Sequence, residues 1–431
     1  MFWDEEMETL PRDELKRLQV ERLRQTLVRA SRSPFYSRLF KRIKLDPEKV
    51  SSLDVLKDIP FTTKEDLRSN APYGFLAVPK EEIIRVHSSS GTTGAATPIL
   101  YTRSDIDRWA DLVARCMYMT GVRKGDVFQN TMGYGLFTGG LGFHYGAEKL
   151  GVMVIPSGPG NSKRQIYLMR TFGTTVIHIL PSYALRLLST FEELGLDPKE
   201  DTQLRIAFIG AEPHTEEMRR RIEEAYGVDA YNSYGLSEMN GPGVAFECPH
   251  KNGMHVWEDS FILEVVDPET LEPVPEGEVG ELVFTTLTRE GMPIIRYRSR
   301  DLAAVYPDPC PCGRTHRRIS RIMGRTDDML IVKGVNIFPM QIEKVLMSIP
   351  EVGTDYQIVL ERENYMDKLI VRVEINAKFF EGDVKGLERL RRRIIEELRS
   401  EIVVTPEVEL LEPGSLPKAE GKAVRVIDRR G

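Results

Sequence analysis

Cysteine is scarce in this sequence, long apolar runs are missing, and neither sign of charge dominates. Four cysteines in 431 residues are too few for a disulfide scaffold. No apolar run approaches the ~18 residues that a membrane-spanning helix needs. The net charge of −6 argues against a nucleic-acid coat. Residues 1–6 are acidic and lack the basic start of a signal peptide, so we expect a cytoplasmic protein that binds neither membranes nor nucleic acid.

A chain of 431 residues is too long for one ordinary hydrophobic core, so two or three domains are expected. Its 41% hydrophobic and 29% charged residues are typical of a globular enzyme. Basic runs at residues 219–221 and 391–393 lie within helical patterns close to acidic residues. We interpret both runs as solvated helix faces.

Apolar periodicity predicts an α/β architecture for most of the chain. Residues 13–30 have the pattern of an amphipathic helix. Short apolar runs then alternate with helical patterns, and this alternation predicts a mostly parallel sheet covered on both faces. The runs occupy residues 127–131, 152–155, 176–180 and 204–210. Strand patterns at residues 261–266 and 281–286, joined by a turn-rich segment, predict an antiparallel subdomain.

The pattern changes beyond residue 324. Strand patterns at residues 356–361, 369–374 and 408–411 accompany a strong helix over residues 387–402. The predicted fold class is therefore α/β, with a large N-terminal domain at residues 1–325. A small α+β C-terminal domain follows at residues 326–431. No flexible linker separates the two, so the joint is a short one.

A loop rich in hydroxyls and glycine is the first candidate for a binding site. It reads Ser88, Ser89, Ser90, Gly91, Thr92, Thr93 and Gly94. Glycine lets main-chain N–H groups approach an anion, and hydroxyls donate further hydrogen bonds to phosphate oxygens. No Gly-Lys-Ser or Gly-Lys-Thr closes the loop, so it is not a P-loop. Taken alone, its composition fits a polar turn as well as a phosphate site.

Further segments carry groups that a nucleotide site needs. Residues 210–213 follow a strand pattern, where an open parallel sheet exposes its ligand crevice. Glu238 offers a carboxylate that suits Mg²⁺ beside a triphosphate, and Asp301 could accept both ribose hydroxyls. Each segment alone is an ordinary loop or cap, and the functional interpretation rests on their joint occurrence. The candidate cofactor-binding residues in these segments are Gly210, Ala211, Glu212, Pro213, Asn232, Ser233, Tyr234, Gly235, Ser237, Glu238, Asp301, Arg325, Lys333 and Gly334.

Six ordered motifs, ending with Lys422, resemble those of the adenylate-forming superfamily of acyl-CoA synthetases. The segments at residues 134–140 and 334–339 resemble most closely the phenylacetate–CoA ligase branch. Ser237 departs from the threonine that many members carry, but it keeps the hydroxyl. The resemblance implies a two-step reaction. A carboxylate attacks the α-phosphate of MgATP and releases pyrophosphate, and the thiol of CoA then displaces AMP from the acyl-adenylate.

The resemblance also implies roles for individual residues. Residues 88–94 would hold the β- and γ-phosphates. Residues 212 and 213 would line the adenine site together with Tyr234, while Glu238 would bind Mg²⁺ and Asp301 the ribose. According to these expectations, residues that are far apart in the sequence lie next to one another in a single site.

Residues of the small domain have implied roles as well. Arg325 would lie near the nucleotide, and Lys422 would reach the reacting carboxylate and the α-phosphate, where a positioned cation stabilises the transition state. Asp327 matches the hinge position, about which the small domain would turn so that Lys333 and Gly334 line a channel for CoA. A surface lysine is the alternative for Lys422, and a turn or helix cap is the alternative for Asp327.

An aromatic and glycine-rich stretch is the candidate pocket for the acid. An aromatic wall with a glycine floor suits a flat ring, although ordinary packing beneath the nucleotide site is the alternative. The candidate residues are Tyr134, Phe137, Gly139, Gly140 and His144.

Three thiols and one imidazole in the antiparallel region form a ligand set typical of structural zinc. The set is Cys248, His255, Cys310 and Cys312. His250 and His316 are rival fourth ligands, and reduced cysteines that cluster without a metal are the alternative.

The resemblance implies an aromatic acid, first of all phenylacetate, as the substrate, with ATP, Mg²⁺ and CoA. A synthetase that transfers AMP to a deazaflavin coenzyme also resembles this branch and is the second hypothesis. A non-catalytic nucleotide-binding regulator is the third, and Glu238, Asp301 and Lys422 argue against it. Oligomeric state is left open, although homodimers are common among soluble oligomers.

Overall fold

A computed structural model describes residues 1–89, 97–363, 366–376, 379, 384–417 and 424–430 of the chain. Two units are distinguished by their internal packing. The first unit contains Met1–Gly158, Thr174–His178 and Tyr231–Ile322. The second unit contains Pro159–Gly173, Ile179–Ala230 and Met323–Gly431. The predicted division into domains at residue 325 stays a prediction.

The elements are numbered here in chain order within the described ranges. The helices are α1 (Glu5–Glu8), α2 (Arg12–Ala30), α3 (Pro34–Ile43), α4 (Lys64–Ser69), α5 (Arg103–Met119), α6 (Thr138–Leu150), α7 (Ser162–Phe172), α8 (Pro181–Glu193), α9 (Pro198–Asp201), α10 (Glu216–Tyr226), α11 (Pro339–Ser348) and α12 (Val384–Ile402). The strands are β1 (Arg85–Ser89), β2 (Thr97–Tyr101), β3 (Val127–Asn130), β4 (Met153–Ile155), β5 (Val176–Ile179), β6 (Ile206–Gly210), β7 (Asp229–Leu236), β8 (Gly241–Glu247), β9 (Met254–Val256), β10 (Phe261–Val266), β11 (Val279–Thr286), β12 (Tyr297–Tyr306), β13 (Arg318–Ile319), β14 (Gly324–Arg325), β15 (Leu330–Val332), β16 (Val335–Ile337), β17 (Val352–Glu363), β18 (Met366–Ile375), β19 (Glu407–Leu411) and β20 (Val426–Asp428).

The first unit contains both kinds of predicted strand pairing. Strand β3 pairs in parallel with β4 and with β5, which confirms the predicted strands. Strands β3 and β5 are buried as expected, but the prediction of a buried strand is wrong for β4, where Met153 is 50% exposed. Strands β10 and β11 pair antiparallel, with Phe261 opposite Thr286, which confirms the predicted antiparallel subdomain. Strands β7, β8 and β9 continue the antiparallel pairing around the candidate site. The predicted α/β fold class is therefore confirmed.

Helix α6 is glycine-rich because it packs closely against its neighbours in the first unit. A Cβ atom at Gly146 would lie 2.6 Å from Val113 of α5, and one at Gly142 would lie 2.5 Å from the Trp109 ring. The absence of side chains at these positions lets α5 and α6 approach each other. Since glycine lowers helix propensity, the sequence pattern did not predict this helix.

In the second unit, the C-terminal strands and helices match the predicted α+β pattern. Strands β17 and β18 form an antiparallel pair, with β19 parallel to β18 and β20 parallel to β17. Helix α12, which spans the predicted helical segment, buries Ile394, Leu398 and Ile402 at helical spacing. None of the helices in the described ranges combines the length and the apolar content needed to cross a bilayer.

The interpretation of residues 219–221 as a solvated helix face is wrong for two of the three arginines. Arg219 is buried. Arg221 donates from Nη2 to the carbonyl oxygens of Met347 at 2.6 Å and Ile349 at 3.2 Å, at the end of α11. The last carbonyls of a helix lack partners within the helix, and a guanidinium group satisfies them well.

Candidate active site

The candidate phosphate loop joins the two strands of an antiparallel hairpin. Strand β1 pairs with β2 so that Ser88 faces Pro98 and Ser89 faces Thr97. The Ser88 side chain is buried, and its main-chain N–H donates to the carbonyl oxygen of Leu136 at 2.9 Å. The hairpin therefore anchors both ends of the loop. The remaining predicted loop residues, Ser90, Gly91, Thr92, Thr93 and Gly94, lie outside the described residues.

Glu238, the predicted Mg²⁺ ligand, lies in a short 3-10 turn, Ser237–Met239, against which β1 packs. Its side chain is buried. The carbonyl oxygen of Ser237 accepts a hydrogen bond from the Tyr101 hydroxyl at 3.2 Å, and that of Glu238 accepts one from Arg289 Nη1 at 2.6 Å. The Ser237 hydroxyl lies 3.4 Å from that of Thr138. The turn that carries Glu238 thus lies beside the hairpin of the candidate phosphate loop, which fits a cation bound to phosphate.

Tyr234 and Asp301, predicted to bind the adenine and the ribose, are in direct contact. The Tyr234 hydroxyl on β7 donates to Asp301 Oδ2 on β12 at 2.6 Å, and both side chains are buried. Asn232 on the same strand donates from its main-chain N–H to Glu247 at 2.8 Å. A Cβ atom at Gly235 would lie 1.7 Å from the carbonyl oxygen of Gly241, so only glycine fits this close approach of two strands.

A buried asparagine, which the sequence analysis did not single out, organises the candidate acid pocket. Asn130 donates from Nδ2 to the Tyr134 hydroxyl at 3.0 Å and to the Gly140 carbonyl oxygen at 2.7 Å, and its Oδ1 lies 3.2 Å from His178 Nδ1. Burial lowers the pKa of His178 to about 3, so its ring is neutral and donates to Asn130. The Tyr134 hydroxyl lies 3.3 Å from His144 Nδ1. One hydrogen-bonded group therefore fixes the positions of the Tyr134 and His144 side chains.

The glycines and Phe137 at the start of α6 have different surroundings. A Cβ atom at Gly140 would lie 2.3 Å from the Gly133 carbonyl oxygen, so main chain fills that position. A Cβ atom at Gly139 would lie 3.1 Å from the Phe137 ring, which is 39% exposed. The sequence analysis expected both glycines to leave room for a ring. At Gly140 the absent side chain instead lets the main chain of the preceding loop, at Gly133, approach the helix.

The remaining described candidates lie in the second unit. Gly210 ends β6 and residues 211–213 follow it, with Ala211 at φ 63°. Glu212 accepts at 2.6 Å a hydrogen bond from the N–H of Ser182 in the first turn of α8. A carboxylate is favoured there by the partial positive charge of the helix start. Lys333 and Gly334 form the two-residue turn between β15 and β16, and both have the positive φ that this turn type requires.

Arg325 and Asp327, the candidates at the predicted joint, form an ion pair. Arg325 Nε lies 2.9 Å from Asp327 Oδ1, and Nη2 lies 3.1 Å from Oδ2. This two-point contact is half-exposed. Lys422, the predicted catalytic lysine, lies outside the described residues.

The four predicted zinc ligands converge in the first unit. The donor atoms of Cys248, His255, Cys310 and Cys312 all lie within 4.8 Å of one another. His255 Nδ1 donates to the carbonyl oxygen of His316 at 3.0 Å, and its Nε2 lies 3.3 Å from Cys312 Sγ. A carbonyl oxygen that accepts from the other ring nitrogen orients histidine ligands in metal sites. The hydrogen bond from Cys248 and the nearby His255 lower the pKa of Cys312, which favours the metal-binding thiolate.

The rival histidines do not join this cluster. His316 accepts from the N–H of Glu258 at 2.9 Å and donates to the carbonyl oxygen of Met7 at 3.0 Å, so both ring nitrogens are engaged. His250 is exposed. The loop that carries Cys310 and Cys312 also binds the N-terminal residues. Arg314 Nε donates to Glu8 at 2.7 Å, and the Thr315 hydroxyl donates to the Leu10 carbonyl oxygen at 2.7 Å.

Comparison with known proteins agrees with the family resemblance of the sequence motifs over nearly the whole chain. Residues 27–287 match the AMP-binding enzyme family, and residues 334–430 match the AMP-binding enzyme C-terminal domain. The chain is 47% identical to the phenylacetate-coenzyme A ligase of Thermus thermophilus, with 100% of each chain covered.

Solved structures of a 2-hydroxyisobutyryl-CoA ligase are similar in fold. Its postadenylation state in complex with R3-HIB-AMP matches with a TM-score of 0.93 and 32% identity, covering 99% of this chain and 92% of that one. Its thioesterification state with 2-HIB-AMP and CoA matches with a TM-score of 0.73 and 34% identity, covering 100% and 92%. The chain therefore belongs to the adenylate-forming superfamily of AMP-binding enzymes, in its phenylacetate–CoA ligase branch.

Proposed function

We propose that this protein is an AMP-forming acid–thiol ligase that converts an aromatic acid, first of all phenylacetate, to its CoA thioester. The observation that carries the proposal is the buried Glu238 side chain in a turn that packs against the hairpin of the candidate phosphate loop. The 47% identity to a phenylacetate-coenzyme A ligase over the full chain supports the choice of acid and of CoA.

The first step is attack of the substrate carboxylate on the α-phosphate of ATP, which forms the acyl-adenylate and releases pyrophosphate. Residues 88–94 would bind the β- and γ-phosphates, and Asp301, oriented by the Tyr234 hydroxyl, would bind the ribose. Residues 212 and 213 would line the adenine site together with Tyr234. Glu238 would hold Mg²⁺, which neutralises charge on the phosphates when bound. Lys422 would stabilise the charge that develops on the α-phosphate.

The second step is attack of the CoA thiol on the acyl-adenylate, with AMP as the leaving group. We propose that residues 326–431 turn relative to residues 1–325 between the two steps, with Asp327 as the hinge. A few residues that change φ and ψ suffice for such a hinge. Lys422 would then withdraw, and Lys333 and Gly334 would line the CoA channel. Postadenylation and thioesterification states of the 2-hydroxyisobutyryl-CoA ligase support this proposal.

For the acid, we propose a pocket formed by Tyr134, Phe137, Gly139, Gly140 and His144. The hydrogen bonds from Asn130 to Tyr134, and from Tyr134 towards His144, support it because they hold an aromatic side chain and a polar group together. Burial raises the pKa of Tyr134 to about 12, so its hydroxyl stays protonated and can donate.

Pyrophosphate release across a panel of phenylacetate, benzoate, indoleacetate and fatty acids, with and without CoA, tests the function. We expect turnover to require an aromatic acid and CoA. A stable AMP conjugate formed on a deazaflavin without CoA would favour the second hypothesis. Absence of pyrophosphate release with every acid, despite ATP binding, would favour a non-catalytic regulator.

We also propose a structural zinc ion at Cys248, His255, Cys310 and Cys312, where it would clamp two loops together. Convergence of the four donor atoms and the orientation of His255 support this proposal. A cytoplasmic location and a homodimer remain proposals from the sequence, and light scattering of the purified protein would test the dimer.

A further inference from the structure

Arg289 is a buried cation next to the candidate metal ligand. It follows β11 and is only 2% exposed. Its Nη1 donates to the Glu238 carbonyl oxygen at 2.6 Å, and its guanidinium carbon lies 4.5 Å from the centre of the Tyr101 ring. The sequence analysis did not single out this residue, because its partners come from distant parts of the chain.

Tyr101 binds the same turn as Arg289, at the neighbouring carbonyl oxygen. It is fully buried at the end of β2, the strand that follows the candidate phosphate loop, and its hydroxyl donates to the Ser237 carbonyl oxygen at 3.2 Å. Burial raises the pKa of Tyr101, while the charge of Arg289 lowers it and that of Glu238 raises it. The hydroxyl therefore stays protonated between the two charges. Two successive main-chain carbonyls, of Ser237 and Glu238, are thus held by two side chains from different elements.

Burial of the Arg289 guanidinium group is unfavourable for folding. Within the described part of the chain, its Nε and Nη2 atoms are buried without a hydrogen-bond partner. Buried donors without partners destabilise a protein, and a hydrophobic side chain of similar size would avoid that cost. A stabilising role alone therefore gives a poor account of an arginine at this position.

We propose that Arg289 and Tyr101 are positioning residues that direct the Glu238 carboxyl group towards the phosphate-bound cation. By holding the carbonyls on either side of the Glu238 Cα atom, they restrict how this short turn can rotate. Because Tyr101 belongs to the hairpin, the same pair of side chains ties the turn to the candidate phosphate loop. The inference rests on the proposed role of Glu238 and extends it to residues that do not touch the substrate.

The test is the Mg²⁺ dependence of acid-dependent ATP–pyrophosphate exchange at saturating ATP. In Arg289→Met we expect the Mg²⁺ concentration for half-maximal activity to rise about 10–100-fold, the usual effect of removing a residue that supports a metal ligand. Arg289→Lys keeps the charge and a donor for the Glu238 carbonyl oxygen but loses the stacking on Tyr101, so it should recover part of the affinity for Mg²⁺. Tyr101→Phe removes one neutral hydrogen bond and should raise the requirement about 5-fold.

Arg123→Met is the matched control. Arg123 also lies over a tyrosine ring, 3.5 Å from the Tyr118 centre, and it donates to the carbonyl oxygens of Tyr118 and Val122 at 2.7 Å each. It contacts none of the candidate site residues in these bonds, so this variant should keep the wild-type Mg²⁺ dependence. Thermal melts of all variants identify any that fail to fold. If Arg289→Met does not fold, the Mg²⁺ requirements of Arg289→Lys and Tyr101→Phe are compared with that of wild type instead.

A folded Arg289→Met variant with an unchanged Mg²⁺ requirement would overturn the inference, whatever its maximal rate. Failure of the proposed function looks different, because wild-type protein would then catalyse no exchange with any acid. In that case Mg²⁺-dependent ATP binding, measured by calorimetry on the same variants, replaces the exchange assay. If Arg289→Met needs a higher Mg²⁺ concentration than wild type to bind ATP, the inference is supported. An unchanged Mg²⁺ requirement for ATP binding rejects it.

Discussion

Glu343 on α11 is a carboxyl group that the second unit buries. Its Oε2 accepts a hydrogen bond from the Tyr356 hydroxyl at 2.7 Å. Burial raises the pKa of Glu343 to about 7, a shift that the hydrogen bond from Tyr356 and the charge of Arg425 only partly oppose. As pH rises, the unfolded chain therefore loses this proton before the folded chain does.

A raised pKa in the folded state means that stability is fully present below the ordinary pKa of 4.5 and declines as pH rises to about 7. The decline is limited to about 3 kcal/mol. Glu343→Gln removes the ionisation, so we expect a higher melting temperature than wild type at pH 8 and a similar one at pH 4. Glu397→Gln, at the surface of α12, should keep the wild-type pH dependence. Equal melting temperatures of Glu343→Gln and wild type at pH 8 would contradict the expectation.

Which candidate residues could be predicted depends on how far their chemistry is visible in the local sequence. Glu238 and Asp301 were found because each lies in a motif with other polar residues. Asn130, Tyr101 and Arg289 occur in ordinary local surroundings, and their importance comes from partners far along the chain, such as Ser237, which is 136 residues away from Tyr101. Contacts of that kind are set by the tertiary fold and leave no local pattern.

At the level of elements, apolar runs predicted β3, β4, β5 and β6 to within two residues at each end. Strands β3, β5 and β6 are largely buried, and strands covered on both faces need continuous hydrophobic sequence. Helix α6 was missed for the opposite reason. Its glycines weaken the helical pattern, and they are needed only because α5 packs so close. Packing overrides local propensity at such a contact.

The loop between β12 and β13 and the loop after β8 meet at the cysteine–histidine cluster, so we expect one zinc ion per chain by elemental analysis. Cys312→Ser should lose the metal and lower the melting temperature, since structural zinc contributes directly to folding. Cys116→Ala is the matched control, because Cys116 is a buried thiol outside the cluster. Metal-free wild type, purified without chelator and still fully stable, would show that the four side chains cluster without a metal.

At the level of the whole molecule, the two half-reactions should respond differently to loss of Lys422. We expect Lys422→Ala to slow acid-dependent ATP–pyrophosphate exchange about 10²–10³-fold, as loss of a charge-stabilising group does. Thioester formation from supplied acyl-adenylate and CoA should be nearly unchanged, because Lys422 would have withdrawn by then. Lys368→Ala, which removes an exposed partner of Glu407, is the control and should leave both rates intact. Exchange at the full rate in Lys422→Ala would refute the proposed role.

The loop that carries Cys310 and Cys312 also sets the order in which the chain can complete its fold during synthesis. Thr315 and Leu10 are hydrogen-bonded across 305 positions of sequence. At about 5–20 residues per second, the N-terminal residues wait roughly 15–60 s on the ribosome before this loop exists. Completion of the cysteine–histidine cluster and docking of the N-terminal residues therefore fall within the same short interval, after most of the first unit has been made.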